Sequence, residues 1–329
     1  MEELALKYID KGLLLDCLKV PTYTSMEDQM VSFIEKWADD NKIRFSMDDY
    51  GNVYLEKGDV KDGEYYPCVT SHLDTVQDGQ ITYAIDGSFL ELKEEYVEDK
   101  DYHKISVDSD DEIGTGSDDK NGICVCLSLF GHFDVLKACF FVEEEDGCNG
   151  SKHLDTKWFD NVGYVVGFDS PERYRAAWSC DGVELFGDEF YYNHIKDVCD
   201  SWGITDSKFR HEPYTDVKYI RLKTGIVCMN FGNGGYLLHS KNEYCVVEDV
   251  DAACGLGVEL IEALGHKRYM YKTPNTNTVE SELVRKMQEY LEGLYNGLKN
   301  DISALCFENG YDFSPFKKIL INNFEKEDF

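Results

Sequence analysis

Basic residues are scarce in this chain: 33 Lys and Arg stand against 64 Asp and Glu, a formal net charge of −31. So acidic a surface repels phosphate backbones and anionic lipid, and neither a nucleic-acid nor a membrane partner is expected. No apolar run reaches the length of a bilayer span. The opening residues, Met1-Glu2-Glu3, lack the basic stretch of a secretory leader, so no leader is expected. The twelve cysteines include no C-x-x-C pair, and several lie in apolar runs such as Ile123-Cys124-Val125-Cys126 and Lys137-Ala138-Cys139-Phe140. That spacing argues against zinc fingers and disulfide frameworks, and for reduced, buried thiols in a cytoplasmic setting. Two ligand loops each miss one residue. Asp108-Ser109-Asp110-Asp111-Glu112 is followed by Ile113 where an EF-hand needs its turn glycine, so a solvated loop is the better reading. Gly114-x-Gly116 has Asp119 in the third glycine position of a dinucleotide fingerprint.

What is present suffices for a large core: 43% of the 329 residues are hydrophobic and 13% aromatic. Residues 4–18 carry Leu4, Tyr8, Ile9, Leu14 and Leu18 at near-helical spacing. Thr24-Ser25 offers an N-cap to a second helix with Met30, Ile34 and Trp37. Strands are expected at 43–47, 52–55, 67–70, 137–142, 163–168, 175–180, 184–190 and 226–230, and helices at 122–130, 191–202 and 246–264. The alternation suggests a three-layer α/β/α sandwich around a mixed, mostly parallel sheet, with sites at the carboxyl ends of its strands. The polar stretch 272–278 reads as a boundary between a domain over 1–271 and an extension over 272–329. In that extension Leu283, Met287, Leu291, Leu294, Leu298 and Leu305 form a helical stripe.

Five short segments carry the chemistry. His72-x-Asp74 puts an imidazole and a carboxylate on one side of an extended segment, where the carboxylate can hold the ring's second N–H. Asp118-Asp119 lies in a glycine-flanked loop, and one carboxylate has two oxygens with which to span two ions. Glu144-Glu145 follows a strand, and Asp169 closes the apolar run Tyr164 to Phe168. The last is Gly234-Gly235-Tyr236-Leu237-Leu238-His239-Ser240. Each alone has a plainer reading: a polar turn, a charged helix start, or a cap before Pro171. In the order His, Asp, Glu, Asp, His they make the ligand set of a pair of zinc ions. The remaining histidines, at 103, 132, 153, 194, 211 and 266, match no ligand position.

With these segments in this order, the chain resembles peptidase T and its deacylase and aminopeptidase relatives, the co-catalytic metallopeptidases. The resemblance runs from about residue 10 to 265. It implies two Zn2+ ions, with Co2+ or Mn2+ acceptable to the same ligands. It makes Asp118, first of its D-x-K motif, the bridge. Asp169 then shares one ion with His72 and Asp118, and Glu145 and His239 share the other with Asp118. Glu144, of the E-E-x-G motif, is the implied general base, with Asp74 in the catalytic set. A zinc-bound water has its pKa lowered to about 7, so a carboxylate base works near neutrality. Pro213-Tyr214-Thr215-Asp216 resembles the family's G-T-D-A step with Tyr214 replacing the glycine. Asp216, Tyr214 and Tyr236 are thus candidates to meet substrate. One departure is clear: the family's lid domain falls between the counterparts of Asp169 and His239, where only 70 residues (239 − 169) separate the two. The expectation is a lid-less di-zinc exopeptidase on short peptides, an aminopeptidase or di/tripeptidase. The alternatives are an N-acyl amino acid deacylase and a non-catalytic binding protein on the same scaffold.

Overall fold

The structure is a computed structural model and describes residues 5–109 and 113–271. The proposed extension, its apolar stripe and the acids at 110–112 lie outside the described residues. In chain order the elements are α1 (Lys11–Lys19), α2 (Asp28–Asp40), β1 (Arg44–Met47), β2 (Val53–Lys57), β3 (Tyr66–His72), α3 (Ile81–Asp86), β4 (Leu92–Val97) and β5 (Tyr102–Val107). They continue with α4 (Ser117–His132), β6 (Leu136–Phe141), α5 (Asn149–Lys152), β7 (Val162–Ser170), β8 (Ala176–Cys180), β9 (Val183–Glu184), α6 (Asp188–Phe190) and α7 (Lys196–Ser201). The remainder is β10 (Phe209–Glu212), α8 (Val217–Thr224), β11 (Cys228–Gly232), β12 (Gly235–Tyr236), β13 (Tyr244–Val246) and α9 (Val247–Leu264).

The main sheet has the order β1-β2-β6-β3-β7-β11-β8-β10, with β9 beside β8. Its centre, β6-β3-β7-β11, is parallel, and antiparallel pairs flank it. Every residue of β3 and β6 is buried, as a central strand covered on both faces requires. Helix α4 packs on β3, β6 and β7 with α1 and α9 against it, while α8 packs on β11 and α5. The expected layered α/β architecture is therefore the observed one. β3 lies between β6 and β7, so the chain runs from β3 to one side and then crosses to the other. Such a switch leaves a crevice at the carboxyl ends of the three strands.

Three expectations need correction, and one feature was not foreseen. The first helix starts at Lys11, not near residue 4. The Asp251 carboxylate takes the backbone N–H groups of Lys7, Tyr8 and Ile9, which holds that segment out of a helix, and Asp10 caps α1 at Gly12 N. Thr24 and Ser25 do not cap α2, whose N-cap is Glu27 without a side-chain cap bond; their hydroxyls donate to Asp74 and Glu143 instead. The segment 184–190 is a strand only at its start: β9 ends at Glu184, and Asp188–Phe190 is helical after Gly187. Finally, a second sheet of order β12-β13-β5-β4 was not anticipated. It joins the hairpin at 92–107 to the His239 loop. The eleven described cysteines are all buried and unpaired. No helix among the described residues is long and apolar enough to cross a membrane.

Candidate metal centre

His72 is the last residue of β3, Glu144 and Glu145 follow β6 by a few residues, and Asp169 is next to last in β7. Three neighbouring parallel strands thus deliver an imidazole and three carboxylates to the crevice. Asp118 and Asp119 come from the entrance of α4, where their non-helical φ/ψ delay the regular helix to Lys120, and the peptide bond between them is cis. His239 is carried by the loop between β12 and β13, in a left-handed conformation (φ +59°), as is Leu237.

Asp118 joins the two halves. Its Oδ1 lies 3.0 Å from His72 Nε2 and its Oδ2 3.0 Å from His239 Nε2. Asp169 Oδ1 is 3.4 Å from the same His72 nitrogen, and Glu145 Oε1 is 3.1 Å from the same His239 nitrogen. Each imidazole therefore faces one oxygen of the shared carboxylate and one of a private carboxylate. His72 is buried, whereas the His239 side chain is half exposed and stands at the mouth.

A set of supporting groups fixes these side chains. His72 Nδ1 meets the backbone carbonyl of Asp74 at 3.0 Å, with the Asp74 carboxylate at 3.4 Å. The expected hold on the ring comes first from that carbonyl. The carboxylate's main work lies elsewhere: its two oxygens accept the backbone N–H of Glu144 (2.9 Å) and of Glu145 (3.2 Å), and the Thr24 hydroxyl (2.9 Å). Asp119 Oδ1 accepts from Gly122 N and Asn233 Nδ2, and its Oδ2 from His72 N. Its oxygens are thereby spent on scaffold. Glu243 accepts from Ser117 Oγ, Gln77 Nε2 and the Asp118 backbone N–H, and so steadies the loop that carries Asp118. Sequence reading missed Asn233, Glu243 and Gln77. Asn233 carried a signal as an amide flanked by Gly232 and Gly234, and Glu243 closes the run Ser240-Lys241-Asn242-Glu243 that follows His239.

Charge explains why these groups belong together. Burial pushes the Asp118 carboxyl up, but His239 and His72 against its oxygens outweigh it and hold the group well below the usual carboxylate range. Burial opposes charging of His72; Asp118, Asp169 and Asp74 outweigh it and raise its pKa well above an ordinary imidazole. Asp118 and Glu145 push His239 up to about 11. Burial raises Glu145 and Asp169, and raises Glu144 strongly with the Asp169 charge adding to it. Carboxylates crowded this closely out of water call for a cation.

The donor set fits a metal. Asp118, Glu145 and His239 bring ligand atoms within 4.8 Å of one another, as do His72, Asp119 and Asp169, and His72, Glu144 and Glu145. Between the two aspartates the hydrogen bonds favour Asp118, since Asp119 is occupied by backbone and amide donors while Asp118 points an oxygen at each imidazole. Glu145 Oε1 is buried without an aligned hydrogen-bond donor, the condition of a ligand atom. Imidazole and carboxylate are donors that zinc accepts.

The three weaker candidates are placed as follows. Asp216 is buried at the N-terminus of α8, with Oδ1 lacking a hydrogen bond; burial and the Asp169 and Asp74 charges push it up to about 8 despite Ser151. Tyr214 is 60% exposed. The Tyr236 hydroxyl donates to Asp249 at 2.6 Å and its ring stacks on Tyr244, so its polar end is used structurally. The interval from Asp169 to His239 adds β8, β9, β10 and β11 to the main sheet.

No family model matches the chain. It is 36% identical over 78 residues to a LysW-lysine/LysW-ornithine hydrolase of Aeropyrum pernix, and this stretch spans 24% of the chain and 21% of that protein. Among solved structures it resembles aminopeptidase PepT of Bacillus cereus, with a TM-score of 0.61 at 16% identity over 78% of this chain and 100% of that one. A tripeptidase of Staphylococcus aureus gives 0.59 at 13% identity over 78% and 99%. An aminopeptidase of the archaeon Desulfurococcus kamchatkensis gives 0.51 at 13% over 76% and 94%. The fold of this chain is that of these peptidases.

Proposed function

We propose that the chain is a two-metal hydrolase that cleaves the amide bond of short peptides from the amino end. The observation that carries this reading is Asp118, whose two oxygens are divided between His72 and His239. His72, Asp118 and Asp169 would hold one zinc ion, and His239, Asp118 and Glu145 the other. Bound zinc supplies a Lewis acid that polarises a carbonyl and makes water nucleophilic near neutrality. Glu144, buried beside this set and not needed as a ligand, takes the proton of the attacking water and returns it to the departing amine. The Cys148 thiol donates to Glu144 Oε1 at 3.2 Å and holds that carboxyl. Asp74 keeps Glu144 and Glu145 in register through their backbone N–H groups.

Asp216 supports cleavage from the amino end: its buried Oδ1 has no hydrogen-bond donor, and a substrate's α-ammonium group placed there would supply one and favour the charged carboxylate that burial alone disfavours. The test is a substrate panel run on protein loaded with zinc, cobalt or manganese: free peptides, N-acetylated peptides and N-acyl amino acids. N-acetylation should reduce kcat/KM sharply, and a chelator should abolish turnover until zinc is restored. Equal or better cleavage of blocked substrates would favour the deacylase reading. No turnover of any substrate by the metal-loaded protein would favour the binding-protein reading.

A further inference from the structure

The turn that carries Glu144 and Glu145 is fastened twice. Asp74 holds two of its backbone N–H groups, and the preceding one, from Glu143, donates to Glu27 Oε1 at 3.1 Å. Three successive N–H groups thus end in two buried carboxylates. Glu27 Oε1 also accepts the Ser25 amide at 3.0 Å, and the Glu143 carboxylate in return accepts the Ser25 hydroxyl at 2.8 Å and the Tyr50 hydroxyl at 3.0 Å. Ser25 and Glu143 are both left-handed, with φ of +63° and +54°, a conformation costly to residues with a Cβ. Such strain persists only where surrounding contacts over-determine it. Glu27 is buried, contributes no ligand atom to the metal centre, and has no other evident reason to face this turn.

We infer that Glu27 is a positioning residue: it clasps the 23–27 loop to the 143–145 turn and so aims Glu144 and Glu145 at the reacting centre. Its role in turnover rests on the hydrolase reading above; the clasp itself does not.

The test compares Glu27→Gln, which keeps an acceptor oxygen, with Glu27→Ala, which removes it, and Glu27→Asp, which draws it back by one methylene. Two readouts are taken on the full chain: backbone hydrogen exchange over residues 142–148, and kcat and KM of the zinc-loaded protein on an unblocked tripeptide. Glu27→Ala should lose exchange protection at Glu143 and lower kcat by up to about 10²-fold, the scale of a misplaced catalytic group, with KM changed far less. Glu27→Gln should restore protection and most of kcat. Should Glu27→Ala fail to fold, Glu27→Asp decides, with partial loss of both. Wild-type protection and kcat in Glu27→Ala, or in Glu27→Asp where that variant decides, would overturn the clasp, as would failure of Glu27→Gln to restore them. If the wild type cleaves no peptide, the hydrolase reading fails while hydrogen exchange still judges the clasp.

Discussion

At the scale of single residues, two neighbouring glutamates are assigned different work. Glu145 Oε1 faces His239, whereas Glu144 accepts a thiol and faces no imidazole nitrogen within ion-pair distance among the described contacts. Glu144→Gln is expected to lower kcat by roughly 10²–10⁴-fold while zinc content and thermal stability stay near wild type, since an amide keeps the shape and loses the base. Zinc lost in step with activity would show that Glu144 is a ligand instead. These residues were legible in the sequence because each sits in a short motif at a strand end. Glu27 and Glu243 were not. Their contacts join segments 116 and 125 residues apart in the chain, and no local pattern marks a carboxylate whose partners lie that far away.

At the scale of elements, the turn after β6 is also packed from below. A Cβ on Gly150 would lie 2.4 Å from Asn52 Oδ1 and 2.4 Å from Val142 O, with no flexible chain end to yield at the carbonyl. Gly150→Ala should therefore cost about 1–3 kcal/mol of stability, read from chemical denaturation, and reduce kcat by displacing the Glu144 turn. An unchanged midpoint and kcat would show that the turn is not held there. The central strands were readable as apolar runs, since a strand buried on both faces has no alternation to decode. The small sheet was harder to see. Its hairpin strand β4 is largely exposed and charged, and β12 and β13 are two and three residues long, so their pairing is a matter of tertiary context and not of propensity. The start of α1 failed for the same reason: a distant carboxylate, Asp251, outweighed the helical spacing.

At the scale of the whole molecule, metal binding should be coupled to protons. Without metal, Asp118 and Glu145 hold His239 protonated up to about pH 11, and His72 is likewise raised well above neutrality. Zinc must displace both imidazole protons, and any proton that burial leaves on Glu145 or Asp169, so at pH 7 at least about two protons should leave as the site fills, and affinity should rise with pH. Titration calorimetry in two buffers of different ionisation heat measures that release; zinc uptake without protons would contradict the charge pattern described. The most direct test of the two-metal centre is metal content by elemental analysis, on chelator-free protein reloaded with zinc and on Asp118→Ala beside it. The wild type should hold two zinc ions per chain, and Asp118→Ala should lose both because each imidazole loses the carboxylate it shares. One ion or a trace in the wild type, or two ions retained by Asp118→Ala, would contradict a bridged centre.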